Sequence, residues 1–333
     1  MIPEFYTHRL EWLHHIERIG ELLGRISAVE ELSGRVPELR RSNRIGSVHS
    51  STAIEGNQLS LAQVTDVANG TAVFASPRDV KEVENALAAY EALDELDPWS
   101  VSDFLRAHGL LTEGLINESG RFRTIDVDIV GPTGAVLHTG SRHEKVPRLM
   151  SELLEWGSES TDHPLVVSSA VHFLIEHIHP FRDGNGRIGR LWQTLILGQW
   201  RSVFAWMPTE TLIRQNQAGY YEALQASRVP EIDAAPFIDY MLGVVVGSLE
   251  TYERRTSEDA SGVDVNGGVN GDVNERLLVL LREHPGLSAA ALARHLGVST
   301  RTAQRHRNQL RDAGRIRHVG PAKTGHWEVL DGQ

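Results

Sequence analysis

The 333-residue chain has no cysteine. Disulfides, thiolate zinc sites and a cysteine nucleophile are therefore excluded, and nothing asks for an oxidising compartment. No uninterrupted apolar run approaches the roughly 20 residues a membrane helix needs, so no membrane partner is expected. The opening Met1-Ile2-Pro3-Glu4-Phe5 lacks the basic and apolar regions of a signal peptide, and the expected location is the cytoplasm. No His-Glu-x-x-His pair occurs, which counts against reading His172, Glu176, His177 and His179 as transition-metal ligands. Gly320 to Gly325 has the frame of a P-loop without its chemistry, because Lys323 falls before the second glycine and His326 stands where the phosphate-binding lysine belongs. Positive charge is also short. A net charge of −11 argues against nucleic-acid binding along the whole chain, but the deficit is uneven. From Asn274 onward ten basic residues face five acidic ones, so a tail of about +5 follows a body of about −16 and two modules with different partners are expected.

What is there centres on His179-Pro180-Phe181-Arg182-Asp183-Gly184-Asn185-Gly186-Arg187-Ile188-Gly189-Arg190. Apolar residues at 167, 170, 171, 174, 175 and 178 precede it at helical spacing, and a second helical run follows from Ile188 through Leu191, Trp192, Leu195 and Ile196. The stretch is thus a turn between two helices, with Gly184, Asn185 and Gly186 at a helix N-terminus whose amides can take an anion. Arg187 and Arg190 lie on neighbouring faces of the first turns and complete a cradle for a polyphosphate. Asp183 is a hard oxygen ligand suited to Mg²⁺, and His179 is a group able to take a proton near neutral pH.

At every defined position the dodecamer matches the signature His-x-Phe-x-Asp/Glu-Gly-Asn-Gly-Arg-x-x-Arg, and the chain resembles the Fic family. The resemblance implies a protein adenylyltransferase with ATP as substrate and Mg²⁺ as cofactor, which moves AMP onto a Tyr, Thr or Ser hydroxyl of a protein target or of itself. In that scheme His179 is the base, Asp183 holds the metal, Gly184, Asn185, Gly186 and Arg187 hold the α- and β-phosphates, and Arg190 the γ-phosphate. Ser51-Thr52-Ala53-Ile54-Glu55-Gly56 is similar to the family's inhibitory motif, which makes Ser51 and Glu55 inhibitory residues and Arg190 the partner of Glu55. Further, the resemblance implies a target-docking flap in a hairpin carrying Val130, Gly131, Val136, Leu137 and His138, and an adenine side containing Tyr220 and Tyr221.

Along the rest of the chain, helices are expected over Leu10 to Leu32 (apolar face Leu10, Leu13, Ile16, Ile19, Leu22, Leu23, Ile26), Val80 to Leu96, Val101 to Leu111, Leu212 to Leu224 and Phe237 to Leu249. A period-two strand is expected over Thr124 to Val130, with turn residues and a return strand after it. The stretch Thr256 to Asn274, rich in Gly, Asn, Asp and Ser, reads as a linker. Beyond it, helix, turn, helix and hairpin resemble a winged helix, in which Arg301, Gln304, Arg305 and Lys323 would meet DNA, a protein partner being the other option. The fold class expected is mainly α: a Fic-type helical core with a β-hairpin flap, plus a C-terminal winged helix-turn-helix. Its divisions are an N-terminal helical region with the inhibitory motif (1–100), a catalytic core (101–255), the linker (256–274) and the winged helix (275–333). Two other functions stay open: removal of AMP from modified protein with Glu55 activating water, and a DNA-binding regulator whose core senses nucleotide. A different donor nucleotide and a homodimer stay open as well.

Overall fold

The computed structural model describes residues 5–33, 36–130, 136–229, 231–261, 274, 277–282, 284–296, 298, 300–312, 314–321 and 326–330. Two compact units divide the chain, Met1–Ala260 and Ser261–Gln333.

In the first unit, α7 (Pro164–Ile178) and α8 (Asn185–Trp200) form the central pair. Helix α7 is apolar nearly all round and buried along almost its whole length, as a helix must be when neighbours cover every face. His163 starts it by accepting the Leu165 amide on Nδ1, and Pro164 occupies the first turn, where its missing N–H costs nothing. Around this pair lie α1 (Trp12–Ser33), α2 (Val36–Ile54), α3 (Leu61–Ala68), α4 (Pro77–Glu91), α5 (Val101–Thr112), α6 (Val146–Glu159), α9 (Thr209–Gln215), α10 (Gln217–Ala226) and α11 (Ala235–Ser261). Strands β1 (Asp128–Val130) and β2 (Val136–Thr139) make an antiparallel hairpin between α5 and α6.

Local sequence explains the element ends that matter for the site. Helix α2 ends where Gly56 takes φ +97°, a left-handed conformation that glycine adopts without steric cost, and the Glu55, Gly56 and Asn57 amides fold back onto the carbonyls of Thr52 and Ala53. Glu55 is thereby fixed at the helix exit. A Ser60/Gln63 capping box then starts α3.

Several boundaries differ from those the sequence suggests. Leu10 lies ahead of α1 and Leu13 on its outer face, and they are 80% and 61% exposed; Trp12, Ile19, Leu22 and Ile26 form the buried stripe. The strand before the hairpin turn is only Asp128–Val130. Upstream of it Asp126 is bent to His143, accepting its amide at 2.8 Å, so the alternating pattern from Thr124 is spent on a loop contact. Leu212 to Leu224 is two helices broken at Asn216, whose side chain caps α10 by accepting the Gly219 amide. The first residues of the expected linker belong to α11, which runs to Ser261.

The second unit has helices Ala289–Leu296 and Thr300–Asp312, a helical stretch over 277–282, and the antiparallel strands β3 (Ile316–Val319) and β4 (His326–Val329). Leu277, Leu278, Leu281, Leu292, Leu296, Ala303, Leu310 and Ile316 make its own apolar core. No described helix is long and apolar enough to cross a membrane.

Candidate active site

The turn between α7 and α8 begins with an unfavourable backbone. His179 has φ 54° and ψ 63°, the only described non-glycine residue in the left-handed region, and its amide closes α7 onto the Ile175 carbonyl at 2.9 Å. The surroundings hold it there. Arg123, 2% exposed, donates Nε to the His179 carbonyl at 2.8 Å and Nη1 to Ile125 O at 2.7 Å, and its Nη2 reaches Ser141 O. The hairpin is fastened to the same place, with the Ser141 amide on Ile178 O at 3.2 Å and His138 Nε2 donating to His177 O at 2.8 Å. Burial, with Arg228 and Arg123 adding to it, pushes His179 down to about 4, so its ring is neutral at pH 7. Its Nδ1 is buried, which leaves Nε2 as the nitrogen that can take a proton.

Next, the loop is folded on itself. Asn185 accepts the Phe181 amide and donates to the Phe181 carbonyl, both at 2.9 Å. Its side chain is therefore used within the loop, and only its backbone amide can serve an anion, a narrower part than the sequence suggests. Phe181 stacks on His108 with centroids 3.5 Å apart. His108 accepts the Gly120 amide on Nδ1, so its proton sits on Nε2 and is donated to Asp183 O at 3.0 Å. Gly184 has φ +84°, and a Cβ there would come 3.1 Å from Thr112 Cγ2, so glycine is required on both counts. No side chain caps α8, so its first-turn amides are not taken by a capping side chain.

Both cradle arginines are buried. Arg190, 2% exposed, donates Nε to Ser51 Oγ at 3.0 Å and Nη2 to both Ser51 O at 3.0 Å and Glu55 Oε1 at 2.7 Å. Burial works to lower its pKa, but the Glu55 carboxylate raises it further, and the guanidinium stays charged. A Cβ at Gly186 would lie 2.3 Å from Glu55 Oε1, so the carboxylate rests directly on the first turn of α8. Arg187, 3% exposed, pairs with Glu82 and donates Nη2 to Asp183 Oδ1 at 3.1 Å. Arg190 Nη1 and Arg187 Nε are buried donors without a protein partner. Asp183 also accepts the Gly184 amide at 2.6 Å and lies 3.5 Å from Arg78, and its side chain is 40% exposed.

Tyr220 must be corrected. It is 1% exposed, with its hydroxyl donated to Glu176 at 3.1 Å and 3.1 Å from His172 Nε2, so its ring belongs to the core. Only Tyr221, 46% exposed, is free to face a ligand. Glu176 is buried, and burial together with the Glu55 charge raises its pKa. His172 is taken up by Gln193 at 2.7 Å and by Tyr220, and among the described residues no three His, Asp or Glu side chains converge as a metal site. Gly131 and Lys323 lie outside the described residues, as do the side chains of Val130, Val136, Leu137 and Arg301. In the second unit Gln304 is exposed and Arg305 half-buried.

Arg123, His108, Glu82 and Arg228 are absent from the sequence reading. Each acts on a partner remote in the chain (Arg123 and His179 are 56 positions apart), so no local spacing marks them.

The neutral histidines make acid sensitivity testable. Burial lowers His108 to about 4 and His172 to about 3, both fully buried, and His177 and His179 to about 4. Below about pH 6.5 the unfolded chain binds more protons at these sites than the folded one, so stability falls with pH until the folded values are reached. Each fully buried ring contributes on the order of a few kcal/mol to that loss, His172 more than His108. The thermal midpoint is expected to drop steeply between pH 6.5 and 4.5, and less steeply in His172→Gln; a flat profile contradicts the assignment.

The chain is similar to known proteins along its length. Residues 96–197 match the Fic/DOC family model and residues 274–319 an HTH domain model. A Fic family protein from Desulfovibrio desulfuricans G20 superposes with a TM-score of 0.74 at 36% identity, covering 100% of both chains. Fic-1 (aa134–508) from C. elegans gives 0.61 at 25% identity over 75% of each chain. The protein adenylyltransferase Fic of Culex quinquefasciatus is 27% identical over 254 residues, 73% of this chain and 48% of that one, and that of Drosophila melanogaster 25% identical over 274 residues, 79% and 53%. The chain spans about half the length of these curated relatives. With similarity to a Fic family protein along its full length and the Fic/DOC match across the turn built above, the chain belongs to the Fic family.

Proposed function

We propose that the chain is an autoinhibited protein adenylyltransferase that transfers AMP from ATP to a hydroxyl of a protein target, itself included. The observation that carries this reading is the uncapped first turn of α8 flanked by two buried guanidiniums with unpartnered N–H groups. Buried donors of that kind cost about 1–3 kcal/mol each when left unmet, and a polyphosphate meets them. The relatives named protein adenylyltransferase support the choice of reaction.

In the proposed reaction the amides of α8 and Arg187 bind the α- and β-phosphates, and Arg190 binds the γ-phosphate once Glu55 has left it. His179 Nε2 takes the proton from the target hydroxyl as its oxygen attacks the α-phosphorus; the bond to the β-phosphate oxygen breaks and pyrophosphate leaves. A carboxylate 40% exposed, whose Oδ2 is met only by the exposed Arg78 at 3.5 Å, fits Mg²⁺, which takes one or two carboxylates plus substrate phosphates. Asp183 would hold that ion, which when bound neutralises charge on the phosphate oxygens. The hairpin, fastened beside His179, would receive an extended target segment along its strand.

Incubating the full chain with Mg²⁺ and α-labelled ATP, with and without lysate, and identifying labelled proteins by mass spectrometry tests the proposal. Label on a protein hydroxyl is expected; its absence in every variant overturns it. A reverse reaction is the second reading, favoured by the 30% exposure of the Glu55 side chain, which leaves the carboxylate able to activate a water. Glu55→Gly would then lose the ability to strip AMP from modified protein.

For the second unit we propose DNA binding, supported by its HTH match and basic charge. Gel-shift titration of the full chain should show duplex affinity that falls as salt rises. No shift at low salt favours a protein partner.

A further inference from the structure

Arg187 is the least explained member of the cradle. Its side chain is 4% exposed, and a buried guanidinium without a counter-charge is strongly unfavourable. A phosphate that arrives and departs cannot be that permanent counter-charge. Two carboxylates touch the arginine, and they differ. Asp183 is 40% exposed, and its Oδ1, which takes Arg187 Nη2, also accepts the Gly184 amide, so it remains held when Arg187 turns away. Glu82 is 12% exposed, and both of its oxygens are occupied: Oε1 by Arg187 Nη1, Oε2 by Asn57 Nδ2 at 2.9 Å.

Asn57 is itself buried at 7% exposure and stands two residues after Glu55. Besides Glu82 it donates to Asp79 O at 3.0 Å and accepts the Leu59 amide at 3.1 Å, pinning the exit of α2 to the first turn of α4. One carboxylate thus joins the arginine of the cradle to the turn that carries the carboxylate lying on it.

We propose that Glu82 is the positioning residue of the anion cradle. It keeps Arg187 Nη1 throughout, so that Nη2 is the arm that passes from Asp183 to a phosphate, and through Asn57 it sets where the Glu55 turn stands relative to the cradle. The proposal rests on the nucleotide-binding part of the reading above and not on transfer.

The test is a double-mutant cycle read as MgADP affinity by calorimetry on the full chain, with thermal unfolding as the folding control. Glu82→Gln should weaken MgADP binding about tenfold and Arg187→Ala at least as much, while the double variant binds no more weakly than Arg187→Ala alone. A merely structural role would not produce that loss of additivity. Asn57→Ala should weaken binding in the same direction by a smaller factor, with no further loss in Glu82→Gln. Where Glu82→Gln does not fold, the cycle of Asn57→Ala with Arg187→Ala asks the same question and the same non-additivity is expected. Equal effects of Glu82→Gln with and without Arg187, or parent-like affinity in Glu82→Gln, overturn the inference and leave the nucleotide reading intact. A parent chain that binds no MgADP overturns both.

Discussion

His179→Ala should lower AMP transfer by about a hundredfold to ten-thousandfold while nucleotide affinity stays within about twofold. The cradle consists of the α8 amides and two arginines, and none of these is held by the imidazole. What the imidazole offers is Nε2, neutral at pH 7 because burial has pushed the ring down to about 4. Binding measured by calorimetry and transfer measured by label incorporation should therefore separate. A variant that labels at the parent rate would show that another group takes the proton. Alanine at φ 54° is no better suited to the left-handed region than histidine, so thermal unfolding of the variant is followed alongside.

The second large effect concerns Glu55. Its carboxylate is the ion-pair partner of Arg190 at 2.7 Å and rests on the first turn of α8, where an anion is favoured by the helix dipole, so in the proposed reading it would compete with a nucleotide twice. Two charges about 4 Å apart at an effective dielectric near 20 interact by roughly 4 kcal/mol, enough to keep Arg190 from the γ-phosphate most of the time. Glu55→Gly is expected to raise self-labelling and target labelling at least about tenfold, which about 1.4 kcal/mol of relieved competition supplies. Stability should move the other way. Arg190, with a side chain 1% exposed, loses its counter-charge, so the thermal midpoint falls in the absence of ligand and rises more with MgATP than it does in the parent. A folded Glu55→Gly chain that binds ATP and labels no faster than the parent removes autoinhibition from the account.

What the sequence disclosed and what it hid follow from the range of the interactions. The turn from His179 to Arg190 is legible because its chemistry is local: a helix ends, two glycines bend the chain, and a second helix opens. The helical core is legible for the same reason, since α7 and α8 announce themselves by apolar period. Glu55 and Arg190 are 135 positions apart, and their meeting followed from the family resemblance, not from spacing. Arg123, which holds four carbonyls around His179 and the hairpin, gives no signal at all; a single arginine before a strand pattern has no period. Tyr220 shows the opposite failure. Its neighbour Tyr221 has the same chemistry, and only the phase of α10 against Glu176 and His172 decides that one is core and the other exposed.

The second unit is legible at the level of its elements, helices and hairpin, because a winged helix repeats familiar turn signals. The extent of α11 is not, because the polar residues that end its apolar period at Leu249 are compatible with a solvated helix as well as with a loop.

The central claim, that an AMP group is moved onto protein, is tested most directly with the Glu55→Gly chain, Mg²⁺ and ATP labelled either at the α- or at the γ-phosphate. The account predicts that protein acquires label from the α-labelled nucleotide alone and that pyrophosphate is released in equal amount. Label carried over from the γ-position, or none from either, would contradict it.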